Sequence, residues 1–83
     1  MDISLTRTGP RTWTGDTPSG LIRLTHSAIT GRFYFDGLDE RSHRFLDWTG
    51  LAYQRFGTAE EACKALAGAL AFRVIETALK EVA

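Results

Sequence analysis

The sequence predicts an α+β fold: an antiparallel β-sheet of four to six strands, then one long C-terminal α-helix packed on one face. Three observations lead there. Residues 1–57 break into short runs rich in threonine, aromatic and branched side chains, punctuated by Gly9-Pro10, GDTPSG at 15–20, Gly31 and Gly37. The connections between those runs are short, which favours hairpin pairing of neighbours. From Thr58 onward the period changes and alanine and leucine dominate.

Taken in order, the expected strands are 2–8, 11–15, 21–26, 31–36 and 43–48, with a possible sixth at 51–56. Side chains alternate across a strand. Ile3 and Leu5 therefore share one face of the first run, and Ile22 and Leu24 share one face of the third. In 43–48, HRFLDW, alternation groups Leu46 with Trp48 and sets His43, Phe45 and Asp47 opposite. GLDERS, 37–42, reads as a protruding loop between two strands. The segment Thr58-Ala59-Glu60-Glu61 fits a capping box and opens a helix expected over 59–82. Gly68 inside it leaves room for a bend or a close backbone approach. A partly closed barrel plugged by the helix is the runner-up architecture.

At 83 residues the chain makes a single domain, residues 1–83, with a sheet region at 1–57 and a helix at 58–83. Hydrophobic content of 43% and charged content of 24% fit an ordinary globular chain. Ten basic and ten acidic residues cancel, so there is no overall field to attract DNA or an anionic membrane. The same balance excludes an acidic imitator of DNA. Eight of the ten cations are arginines, which favour specific paired contacts over diffuse charge. A single cysteine, Cys63, allows no internal disulfide. The start lacks a basic region followed by an apolar run, and no stretch is long enough to span a bilayer. A soluble cytoplasmic protein is expected.

The helix carries two stripes. Ala62, Cys63, Leu66, Leu70 and Val74 fall on one, and Cys63 there reads as a small buried hydrophobe. Phe72, Ile75, Leu79 and Val82 fall on another, rotated away from the first. The helix would run about 36 Å against the 17–20 Å of a strand of five or six residues. The second stripe is therefore a candidate face for a homodimer or a partner helix.

Little in the chain points to catalysis. His26, His43 and Cys63 lack the close spacing of a structural zinc site. Ser42, His43 and Asp47 have the residue types of a hydrolase triad, but a triad is defined by geometry. Neither phosphate-binding glycine motif is present. Asp36, Asp39 and Glu40 cluster near a turn without a calcium pattern. WTG at 13–15 and 48–50 has no matching flanks. No cofactor or metal is expected, and the chain reads as a non-enzyme.

GRFYFDG, 31–37, is the most distinctive stretch. Alternation turns Phe33 and Phe35 toward the helix, near Leu66 and Leu70, and sets Arg32, Tyr34 and Asp36 on the outer face. The stretch fails the RNA-recognition signature at several positions, and the chain lacks that fold's βαββαβ order. Arg23, Arg32, Tyr34 and Arg44, with Arg7, remain as outer-face or rim anchors, and Asp39, Glu40 and Arg41 as loop contacts. The same arginines and tyrosine would also suit single-stranded nucleic acid.

In overall format, a compact chain with one cysteine and no catalytic constellation resembles the small anti-CRISPR proteins that phages carry against host defences. No motif carries the resemblance. It implies a non-catalytic, protein-binding inhibitor acting in the host cytoplasm on a defence nuclease or its surveillance complex, by steric or allosteric block. The alternatives are a small nucleic-acid-binding module on the arginine and tyrosine face, and a structural homodimer built through the helix.

Overall fold

A computed structural model describes residues 4–82, with side chains through Leu70. Four strands form one antiparallel sheet in the order β1-β2-β3-β4: β1 (Thr6–Gly9), β2 (Thr12–Thr17), β3 (Gly20–His26) and β4 (Phe33–Gly37). Helix α1 (Glu40–Thr49), a 3₁₀ turn (Leu51–Tyr53) and helix α2 (Ala59–Val82) follow. The fold is α+β with a four-stranded sheet and two helices. The sheet is open rather than closed into a barrel.

Each strand arises from its sequence in a simple way. Alternation in β3 buries Ile22 and Leu24 and leaves Leu21 exposed and Arg23 half-buried. In β4 the same rule buries Phe35 and packs Phe33 against the core. The turn after β2 is tighter than GDTPSG suggests. Thr17 remains in the strand, and its hydroxyl donates to the Gly20 carbonyl at 2.8 Å while accepting the Ser19 N–H at 3.1 Å.

The expected strand over 43–48 is instead the helix α1. Asp39 is its N-cap, accepting the Ser42 N–H, while the Ser42 hydroxyl oxygen accepts the Asp39 N–H. Ser42, Phe45 and Leu46 are buried, a spacing of three and four residues that matches one helical face. Gly50 ends the helix in a left-handed conformation, φ 80°. GLDERS is therefore a cap and a first helical turn, not a protruding loop. The possible sixth strand reduces to the 3₁₀ turn and one bridge, in which Phe33 and Phe56 exchange backbone hydrogen bonds of 2.8 Å.

α2 occupies the span expected from its capping box. The Thr58 hydroxyl accepts the Glu61 N–H at 3.1 Å, and the Glu61 carboxylate takes the Gly57 N–H at 3.3 Å. Ala62, Leu66 and Leu70 face the core. Cys63 is exposed, contrary to the sequence reading: it lies about 60° round the helix from the centre of the stripe formed by residues 62, 66 and 70, at the edge of the contact face. Among the described residues a Cβ at Gly68 would meet nothing within 4 Å, so the glycine serves no close approach to them. The core-facing part of α2, residues 59–70, is about 18 Å long, close to one strand length. Side chains of Phe72, Val74, Ile75, Leu79 and Val82 lie outside the described residues, and the second stripe with them.

One core unites these pieces. Ile22, Leu24 and Phe35 from the sheet meet Phe45, Leu46, Leu51, Ala62, Leu66 and Leu70. Both helices thus cover the same sheet face. Among the described residues no helix is long and apolar enough to cross a membrane.

Candidate binding surface

The strand register defines what lies on the uncovered face. Thr12, Thr25 and Tyr34 form one row, and Thr14, Arg23 and Asp36 form the next. These side chains are half-buried. Thr8 joins from β1, its hydroxyl 3.0 Å from that of Thr14 and 3.3 Å from that of Thr12. The face is therefore hydroxyl-rich around an inset charged pair.

Arg23 and Asp36 are directly opposed and form an ion pair at 3.2 Å, with their side chains 42% and 37% exposed. Exposure of that order keeps the pair weak as a source of stability. Its effect is to neutralise the centre of the face. Arg23 Nε and Thr25 Oγ1 are buried without a hydrogen-bond partner. Such atoms are costly to leave unmade. Beside them, the Arg55 guanidinium lies over the Tyr34 ring, 5.0 Å from its centroid.

The expected contact residues thus separate into groups. Arg23 and Tyr34 share the outer face. Arg32 lies in the turn before β4, exposed, with its N–H donating to the Thr30 hydroxyl. Arg44 belongs to α1, where it pairs with Glu40 at 2.6 Å and is remote from the sheet face. Asp39 is occupied as a cap, which lowers its carboxyl pKa through the Ser42 and Leu21 amides. Arg41 is exposed on the first turn of α1.

Arg11 and Arg55 gain importance only in the structure, and Arg7, expected on the outer face or its rim, is instead opposite Trp13 on the core side of the sheet. Arg55 reaches Tyr34 because the Phe33–Phe56 bridge sets residue 55 beside β4. Arg7 lies over Trp13, 5.9 Å from the ring centroid. Arg11 Nη1 lies 3.3 Å from His26 Nδ1. Sequence alone offers no signal for these pairings, since each depends on register.

The groups considered for catalysis are engaged separately. The Ser42 hydroxyl donates to the Asp39 carbonyl at 3.1 Å, and Asp47 accepts from the Tyr53 hydroxyl. Among the described residues, no three histidine, cysteine or acidic side chains are grouped to hold a metal ion. No family model, curated protein or solved structure matches the chain.

Proposed function

We propose that this protein acts without catalysis, by docking on a protein partner through the uncovered face of its sheet. The observation that carries the reading is the pair of unpartnered buried atoms on that face, Arg23 Nε and Thr25 Oγ1. An acceptor brought by a partner, after a small side-chain rotation, would satisfy them. Tyr34 and Arg23 are residue types that anchor interfaces, and the Arg23–Asp36 pair already removes net charge from the centre. The format shared with small phage-borne inhibitors supplies the class of partner: a nuclease or surveillance complex of host defence, blocked sterically or allosterically. The protein would then work in the cytoplasm of the host cell.

The test is capture from cell lysate by wild type and by the double variant Arg23→Ala/Tyr34→Ala, at low and high salt. A species held by the wild type at high salt and lost by the variant supports the reading. Equal retention by both removes this face as the site. Homodimerisation through Phe72, Ile75, Leu79 and Val82 remains the separate proposal that Leu79→Glu tests in the ultracentrifuge.

A further inference from the structure

The zero net charge conceals a segregation along the sheet. Between residues 3 and 35 the only acidic side chain is Asp16, whereas Arg7, Arg11, Arg23 and Arg32 all fall in that interval. Asp16 is opposite Leu21, near the end of the sheet that carries the β2–β3 turn. Asp36, the next acid in the chain, pairs with Arg23. The opposite end carries the β1–β2 and β3–β4 turns. Arg11 and Arg32 lie in those turns, with Arg7 and Arg55 flanking them.

Among the described residues none of these four arginines forms an ion pair with a carboxylate. The two ion pairs among the described residues, Arg23–Asp36 and Arg44–Glu40, lie elsewhere. Arg7 folds upward to donate to the Gly9 and Pro10 carbonyls at 3.1 and 2.8 Å while lying over Trp13. Arg55 lies over Tyr34. Trp13 and Tyr34 project from opposite faces of the sheet, so each face carries an arginine–aromatic stack at the same end. The turns between them supply two further guanidinium groups.

This end is also pre-shaped. His26 N–H donates to the Arg11 carbonyl at 2.8 Å. A guanidinium has no acceptor, so His26 Nδ1 accepts from Arg11 and its Nε2–H donates to the Gly31 carbonyl at 3.2 Å. The His26 ring stacks on Phe33, centroids 4.3 Å apart. Within the β3–β4 turn, the Ser27 hydroxyl accepts the Ile29 and Thr30 N–H groups, each at 3.2 Å. The two turns are thus bonded into one platform, which reduces the ordering cost of binding.

We infer that this end of the sheet binds single-stranded nucleic acid, with Arg7, Arg11, Arg32 and Arg55 pairing with phosphates and the Trp13 and Tyr34 stacks receiving bases. Alternation of planar rings with guanidinium groups fits a chain that alternates bases with phosphates. Unstacked bases are required, because bases paired in a duplex present only their edges in the grooves and leave no face for the rings to stack on. The site shares Tyr34 with the outer face proposed above, but Arg7, Arg11 and Arg32 lie outside that face, so variants of these arginines test it separately.

The test uses fluorescein-labelled oligothymidylate of about 12 nucleotides, read by anisotropy. With four phosphates engaged, the affinity should fall with a log–log salt slope of about −3, roughly 50-fold between 50 and 200 mM salt. Arg32→Ala, which removes a side chain with no hydrogen bond or ion pair among the described residues, should lower the slope by about 0.7. Arg11→Ala/Arg32→Ala should weaken binding by about tenfold or more, and Lys64→Ala on α2 should leave it unchanged. No binding at low salt, an unchanged slope in the arginine variants, or equal competition by polyglutamate of matched charge would overturn the inference. Binding that fails here while lysate capture at high salt succeeds would overturn this site and leave the outer-face reading intact.

Discussion

The Leu21 N–H donates to the Asp39 carboxylate at 2.9 Å, joining the start of β3 to the N-terminus of α1. The other carboxylate oxygen accepts the Ser42 N–H at 2.8 Å. One side chain therefore caps the helix and fixes it to the sheet. Both amides favour the charged carboxylate, with Ser42 the larger cause, and its pKa lies below the usual range.

The sign of the pH dependence follows. A carboxyl whose native pKa is depressed contributes stability above its unfolded value, and that contribution is lost as pH falls through the native value. Thermal melts between about pH 5 and pH 2 should therefore show wild type losing stability faster than Asp39→Asn. Parallel curves would contradict the role assigned to Asp39.

The approach of α1 to the sheet sets a second expectation. A Cβ on Gly37 would stand 2.5 Å from His43 N and 2.7 Å from His43 Cα, both backbone atoms that cannot turn aside. Gly37→Ala should cost about 1–3 kcal/mol, the usual range for overpacking, measured by urea unfolding. An unchanged midpoint would show that α1 does not pack there.

Phe45 and Trp48 distinguish the helix from the strand that the sequence suggested. Phe45 is 1% exposed and Trp48 57% exposed. Phe45→Ala should destabilise by about 3–5 kcal/mol, and Trp48→Ala by under about 1 kcal/mol. A strand placing Trp48 beside Leu46 in the core would give Trp48→Ala the larger cost.

That contrast shows where the sequence was readable. β3, β4 and α2 carry strong local signals: alternating Ile22 and Leu24, alternating Phe33 and Phe35, and a capping box before an alanine-rich run. α1 is short, and its phenylalanine, tryptophan and histidine are weak helix formers, so HRFLDW also satisfies period two. The deciding signals were outside that window, in Asp39 three residues before Ser42 and in Gly50 after Thr49. For the binding surface, alternation was enough to place Arg23 and Tyr34 together. Arg11 and Arg55 were hidden, and Arg7 was expected on the wrong face, because their neighbours come from pairing register, which one sequence does not state.

The Tyr53 hydroxyl donates to Asp47, and this bond is the main cause of a phenol pKa above the ordinary value. Such a bond contributes stability below the unfolded phenol pKa and is lost as pH rises through the native one. In a Tyr34→Phe background, ultraviolet titration should place Tyr53 above a free tyrosine. Adding Asp47→Asn should bring it down, and no change would remove the bond.

The central claim, that the uncovered face meets a protein partner, is tested most directly by site-specific photocrosslinking in lysate. Leu21 sits on that face, 36% exposed, and Lys64 is exposed on α2 at the other side of the molecule. A photoreactive residue at position 21 should yield one crosslinked protein that persists at high salt, and the same probe at position 64 should not. Crosslinks from position 64 alone, or equal yields from both, would contradict the account.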